Sequence, residues 1–217
     1  MKPIRLIIFD LDGTLVNTLE DIAHSVNFTL GRLGRPLLHL DTVRQYVGDG
    51  METLLTRALG RHAGLLEEAK GIYMAHQTGN LVVNSRLYPG VQETLGHFRS
   101  LPMAVVTNKT LAFSEPLLEQ LGIRPYFGMI IGADSGLPLK PAPDAFLSIM
   151  RDLAVPKEGT VVVGDGTTDI RAGKAAGITT CAVTYGFRSE EELRKAGPDH
   201  VIHTFSELRD LFAVDNR

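Results

Sequence analysis

Two carboxylates one residue apart, Asp10 and Asp12, follow the apolar run Leu6-Ile7-Ile8-Phe9 and precede Gly13 and Thr14. Polar groups also close three later apolar runs. Thr107-Asn108-Lys109 ends the Met103 run, Lys140-Pro141 follows Met129-Ile130-Ile131 at a short distance, and Gly164-Asp165 through Asp169 ends the Val161 run. Any one of these is compatible with a turn or a helix cap. Four at successive strand ends gather acids, a hydroxyl, an amide and a lysine on one edge. Carboxylates meeting at one point repel each other by several kcal/mol per close pair at an effective dielectric of about 20. A divalent cation with hard oxygen ligands removes that penalty, and octahedral oxygen coordination favours Mg²⁺. Beside a cation Asp10 stays ionised, and an ionised carboxylate can attack phosphorus to give an aspartyl-phosphate. Asp12 is then the acid that protonates the leaving oxygen and the base that activates water. Lys140, Thr107 and the backbone amides near Asn108 and Leu11 would hold the phosphoryl oxygens.

The elements that must position these groups follow from periodicity. The run ending at Phe9 suits a strand buried on both faces of a parallel sheet, whose ligand crevice lies beyond the strands' carboxyl ends. Leu19, Ile22, Val26, Leu30 and Leu33 have helical spacing, with Thr18 as cap and Gly34-Arg35-Pro36 as stop. Further helices are expected at 43–47, 51–59 and 65–81, the first broken at Gly48-Asp49-Gly50. After Tyr88-Pro89-Gly90 the pattern alternates: helix 91–101, strand 103–107, helix 113–121, strand 129–131, helix 144–153, strand 160–164, helix 168–176, strand 179–183 and helix 190–195. Val201-Ile202 and a helix over 206–212 close the chain. This order predicts an α/β fold: a doubly wound, parallel, Rossmann-like sheet with right-handed crossovers. The helical stretch reads as an inserted cap domain, 16–85, in a catalytic core of 1–15 and 86–217. Two connections into one core suit a lid that hinges over the crevice.

Phe9-Asp10-Leu11-Asp12-Gly13-Thr14, Thr107-Asn108, Lys140-Pro141 and Gly164-Asp165 through Asp169 resemble, in order, the four motifs of the haloacid dehalogenase superfamily. The similarity is to its phosphatases with a helical cap, and it spans essentially the whole chain. Tyr46-Val47-Gly48-Asp49-Gly50, Met51-Glu52-Thr53-Leu54-Leu55, Tyr88-Pro89-Gly90-Val91 and Thr184-Tyr185-Gly186 are most like the phosphoglycolate phosphatases. The resemblance implies hydrolysis of a small phosphomonoester, 2-phosphoglycolate first among candidates. It also implies Mg²⁺ on the Asp10 side chain, the Asp12 main-chain carbonyl and Asp165, with Asp169 as ligand or outer partner. The Gly48-Asp49-Gly50 loop would face the leaving group. Gly166 replaces a frequent serine, so Thr167, Thr168 or water would supply a hydroxyl near the metal. Asn17 stands where many relatives carry an acid.

Other reactions of the superfamily are separated by single residues. Asp12 argues against a dehalogenase, whose halide leaves without a proton. Phosphonate cleavage uses a cap lysine, yet no lysine lies between Lys2 and Lys70. Mutases place a histidine where this chain has Ile22, with His24 nearby. The competing functions are a sugar-phosphate phosphatase, a pyrophosphatase and, from a different class, a non-catalytic phosphate-binding regulator. The last fits poorly with the presence of both Asp10 and Lys140.

Composition bounds the partners. The 217 residues carry 22 basic and 25 acidic side chains, for a net charge of −3. That balance argues against nucleic acid or an anionic membrane as the main partner; the partner the resemblance implies is a small phosphorylated metabolite. No window reaches the roughly 18 apolar residues of a membrane span. Met1-Lys2-Pro3 enters the first strand with no room for a signal peptide. Cys181 is the lone cysteine and sits in a strand pattern, so it reads as a core thiol in a cytoplasmic protein. A monomer or homodimer is expected. His39, His62, His76, His97, His200 and His203 show no metal-ligand spacing. Asp134 reads as a turn residue positioning Lys140, Lys70 as the ion-pair partner of Glu67, and Arg44, Arg57 and Arg86 as solvated arginines, with contact to a substrate carboxylate as the alternative.

Overall fold

The computed structural model describes residues 1–215. The chain opens with β1 (Lys2–Ile4), β2 (Leu6–Phe9) and β3 (Val16–Asn17). Four helices follow: α1 (Leu19–Arg32), α2 (Leu40–Tyr46), α3 (Met51–Leu59) and α4 (Leu66–Thr78). β4 (Arg86–Leu87), α5 (Val91–His97), β5 (Met103–Val106), α6 (Leu111–Gln120), β6 (Met129–Ile131) and α7 (Asp144–Asp152) come next. The remainder is β7 (Thr160–Gly164), α8 (Thr167–Ala176), β8 (Thr179–Val183), α9 (Glu190–Ala196), β9 (His200–Ile202), α10 (Leu208–Leu211) and β10 (Phe212–Val214).

Six strands form one parallel sheet in the order β6-β5-β2-β7-β8-β9. All four residues of β2 are buried because strands and helices cover it on every side. Ile7 and Phe9 face one apolar layer with Phe98, Phe127 and Phe205, while Leu6 and Ile8 face the other with Phe146 and Ile149. The chain winds from β2 to β5 and β6 on one side, then crosses to β7, β8 and β9 on the other. The crevice beyond the carboxyl ends of β2, β5 and β7 lies at that switch in direction, where open α/β sheets place their ligands.

α1 to α4 form a helical insertion with a hydrophobic core of its own. Leu19, Ile22, Val26, Leu30, Val43, Leu54, Leu55, Leu59 and Tyr73 pack there, joined by Phe113 from α6. The two chain segments that enter and leave this insertion pair as a short antiparallel ribbon, Val16 opposite Leu87 and Asn17 opposite Arg86.

Departures from the periodicity are local. The last helix is only Leu208–Leu211, after which β10 pairs in parallel with β1. Phe212 is drawn into the core as strand, and segments of three residues carry no readable period. The helix expected over 65–81 stops at Thr78, where Gly79 and Asn80 turn the chain. Thr18 occupies the N-cap of α1 without capping it by its side chain. Its hydroxyl is used in the site.

Candidate active site

Asp10 leaves β2 with its N–H donating to the Val163 carbonyl at 2.9 Å, which fixes it between β5 and β7. Lys140 reaches it from the loop after β6. The Lys140 Nζ lies 2.8 Å from Asp10 Oδ1 and 2.6 Å from Asp169 Oδ1, and donates to the Val106 carbonyl at 2.7 Å. The Asn108 side chain holds the Lys140 backbone, its Oδ1 accepting from the Lys140 N–H and its Nδ2 donating to the Lys140 carbonyl, both at 3.0 Å. Asp134, read as the residue positioning Lys140, instead accepts from the Leu111 N–H at 2.8 Å and caps α6. Sequence spacing does not distinguish the two uses of a turn acid.

Asp165, at the end of β7, is gripped from two sides. Its N–H donates to Thr14 Oγ1 at 3.0 Å, the Thr14 hydroxyl donates to its Oδ1 at 2.9 Å, and the Phe187 N–H donates to its Oδ2 at 2.7 Å. Thr14 thus places a hydroxyl directly on the Asp165 carboxylate. Asp169, in the first turn of α8, accepts from the Gly166 N–H at 2.9 Å. A Cβ on Gly13, whose φ is +86°, would overlap the Asp165 carboxylate, and one on Gly164 would overlap that of Asp169. Backbone without side chains is what lets both acids close in.

Asp10, Asp165 and Asp169 each bring a carboxylate oxygen within 4.8 Å of the others. Burial raises the Asp10 carboxyl well above the usual range, with the Asp169 carboxylate adding to it and Lys140 opposing. Burial also pushes Asp165 up to about 6, against the Phe187 N–H bond that favours its charge. For Lys140, burial works against the charge, but Asp10 and Asp169 outweigh it and the ammonium is held more firmly than usual. One lysine against three acids leaves negative charge in excess. An all-oxygen, partly buried donor set of that kind fits a hard divalent cation.

The sequence suggested four converging acids; the structure gathers three. The Asp12 carboxylate turns aside, accepting from the Thr18 hydroxyl at 2.7 Å and meeting Lys109 Nζ at 3.1 Å through both oxygens. A cavity opens beside it. Asp10, Asp12, Thr107, Asn108 and Lys109 line its floor; Gly48, Gly50 and apolar side chains of the insertion line its roof. Thr107 is buried and its Oγ1 accepts from the Lys109 N–H at 3.2 Å. Asp49 turns away to Arg57 at 2.6 Å and borders an adjoining crevice with Asp165 and Thr168.

The insertion is fastened over this floor at two points. Asn108 Nδ2 donates to the Gly48 carbonyl at 2.9 Å, and Arg188 donates to the Val47 and Arg44 carbonyls at 2.6 and 3.1 Å. Arg188 and the Phe187 amide escaped the sequence reading, and Thr14 and Lys109 stood in its motifs without a role of their own. Their partners are remote in the chain, and Lys109 carried a signal in its place directly after Thr107-Asn108. Arg86 donates to the Ser85 carbonyl at 2.7 Å rather than into the cavity.

Residues 7–183 match the family model described as haloacid dehalogenase-like hydrolase. The chain belongs to that family. Among curated relatives, the phosphoglycolate phosphatase of Colwellia psychrerythraea is 37% identical over 214 residues, covering 94% of this chain and 95% of the relative. That of Chromobacterium violaceum is 35% identical, covering 97% of each. The crystal structure of a predicted phosphoglycolate phosphatase from Haemophilus somnus superposes with a TM-score of 0.91 at 30% identity, covering 96% of this chain and 97% of that one. CbbY from Rhodobacter sphaeroides, in complex with phosphate, gives 0.82 at 26% identity, over 94% and 96%. The doubly wound sheet with a helical cap is therefore the fold of this haloacid dehalogenase-like enzyme, and it is similar to phosphatases over nearly its full length.

Proposed function

We propose that this enzyme is a Mg²⁺-dependent phosphatase that hydrolyses 2-phosphoglycolate through an aspartyl-phosphate on Asp10. The observation that carries the reading is the division of labour between the two N-terminal acids. Asp10 lies against Lys140 and the acid cluster, while Asp12, buried to the same extent, points away from that cluster to Thr18 and Lys109. In this reading the Asp10 and Asp165 side chains and the Asp12 main-chain carbonyl hold Mg²⁺, with Asp169 a further ligand or their hydrogen-bonding support. When bound, the ion supplies charge neutralisation for the carboxylates and for a phosphoryl oxygen.

A carboxylate oxygen of Asp10 attacks phosphorus as the bond from phosphorus to the ester oxygen breaks, and Asp12 gives that oxygen its proton. Water then attacks the acyl-phosphate, Asp12 takes its proton, and the phosphorus–Asp10 bond breaks to release inorganic phosphate. Thr107, Lys140 and the amides near Asn108 and Leu11 hold the phosphoryl oxygens. Residues 16–85 form the cap, whose Gly48-Asp49-Gly50 loop bounds the leaving-group space, and 1–15 with 86–217 form the catalytic core. The buried thiol Cys181, pushed up to about 12 chiefly by burial, suits a reducing compartment, and we place the enzyme in the cytoplasm. Asp10→Asn keeps the shape but removes the nucleophile, so turnover of 2-phosphoglycolate and of p-nitrophenyl phosphate is expected to vanish in Mg²⁺. Residual turnover above background by a repurified variant would sink the assignment.

A further inference from the structure

We infer that Lys109 recognises a carboxylate on the leaving alcohol, giving up its contact with Asp12 to do so. The inference rests on the phosphatase reading above and deepens it: the substrate class becomes phosphomonoesters of hydroxy acids, and a specificity residue is named.

Lys109 is a cation built into the cavity floor. Its side chain is 8% exposed, and its Nζ spans both oxygens of Asp12 at 3.1 Å. Its backbone N–H is bonded to Thr107 Oγ1, so its stem is fixed relative to the phosphoryl side of the cavity. Among the described residues lining this cavity it is the only cation. The roof offers Ile22, Met51, Leu54 and Tyr73, Phe113 of α6 adds a further apolar wall, and the other charges on the floor are the carboxylates of Asp10 and Asp12. A second anion on the substrate would lie against apolar walls and two acids, which is costly without a partner.

The other cations nearby are committed. Lys140 spends its three donors on Asp10, Asp169 and the Val106 carbonyl. Arg57 pairs with Asp49, and Arg188 donates to the Val47 and Arg44 carbonyls; neither lines this cavity. An ammonium has three donors, and two directed at Asp12 leave one for an incoming carboxylate before any exchange occurs. Once the substrate carboxylate replaces Asp12 on Lys109, Asp12 keeps only its Thr18 bond and can turn toward the leaving oxygen. Recognition of the acid and delivery of the proton are then linked through one lysine.

The test compares two esters of the same skeleton, 2-phosphoglycolate and 2-hydroxyethyl phosphate, whose uncharged hydroxymethyl group replaces the carboxylate. Steady-state kinetics in Mg²⁺ are run on the full chain and on Lys109→Met and Lys109→Arg, with p-nitrophenyl phosphate as a third substrate. The wild-type chain is expected to prefer 2-phosphoglycolate. Lys109→Met should lose roughly ten- to a hundredfold of that preference in kcat/KM, mainly through KM for the acid, and Lys109→Arg should restore part of it. An equal loss on both esters would mean that Lys109 acts only through Asp12, and overturns the inference. So does a wild-type chain that hydrolyses both esters alike, although the phosphatase reading then stands. Turnover of p-nitrophenyl phosphate with neither two-carbon ester removes the phosphoglycolate assignment and this inference together; no turnover of any removes the phosphatase reading. Inhibition of the wild-type chain by 3-phosphonopropionate against propylphosphonate repeats the comparison without a variant, and equal inhibition also overturns it.

Discussion

Asp10 and Asp12 lie two positions apart, but their carboxylates have separate surroundings. Lys140 and two further acids surround the first; Thr18 and Lys109 hold the second beside the cavity. If Asp12 moves the proton, Asp12→Ala should lower steady-state hydrolysis of 2-phosphoglycolate by about 10²- to 10⁴-fold. Binding of inorganic phosphate, measured by titration calorimetry, should survive, because the groups proposed to hold it are untouched. A variant with ordinary turnover contradicts the role. The acids and Thr107 were legible because they stand at or just past the end of an apolar run, where strands of a parallel sheet deliver side chains to one edge; Lys140, on the loop after β6, was legible through the Lys140-Pro141 motif. Thr14 as the partner of Asp165 was not legible. The pair is 151 residues apart, and a threonine after Asp-Gly looks like any turn residue until β2 and β7 are seen side by side.

Among the elements, α1 and the chain returning from the insertion are tied by one buried acid. Asp21 accepts from the Val83, Asn84 and Ser85 N–H groups at 3.1, 2.9 and 2.8 Å and from the Ser85 hydroxyl at 2.6 Å. Burial alone would raise this carboxyl, but the Ser85 hydroxyl and the Asn84 and Ser85 amides outweigh it and hold it below its ordinary range. Asp21→Ala strands those donors beside the β3–β4 ribbon and should cost about 2–4 kcal/mol in urea unfolding. A depressed folded-state pKa stabilises above the unfolded value and loses that contribution as pH falls through the folded one. The gap between wild type and variant should therefore narrow below about pH 4. A gap constant with pH, or absent at pH 7, would show that the acid holds nothing. The helices and core strands were legible because their apolar periods are long; helix ends shifted by only a few residues. β1, β10 and the β3–β4 ribbon were not, since two or three residues show no period and pair only once the fold brings them together. Asp21 gave no linear signal, because an acid in a first helical turn is expected at the surface.

Across the whole molecule, the two halves of the sheet bring like charges to one point, so fold stability and cation binding are linked. Without a cation, burial holds the Asp165 carboxyl at about 6, against about 3.9 for a free aspartate. A raised acid pKa means that the folded chain binds more protons than the unfolded one between those values, so stability from this group falls as pH rises through that window. On the Mg²⁺ reading proposed above, the ion would bind the deprotonated carboxylates and reverse the loss, stabilising by about 2.7 kcal/mol at a hundredfold excess over its Kd. The rise in Tm on adding Mg²⁺ to substrate-free enzyme should accordingly be small at pH 5 and grow to pH 7, because cation and proton compete for the same oxygens. EDTA should reverse it and remove hydrolytic activity, and Mg²⁺ should restore both. Asp165→Asn removes one charge and one competing proton, and should flatten the dependence of the Tm shift on pH as well as reduce its size. An Mg²⁺ effect of equal size at pH 5 and pH 7, or one that persists unchanged in Asp165→Asn, would locate the cation elsewhere and leave the three acids without the partner their burial requires.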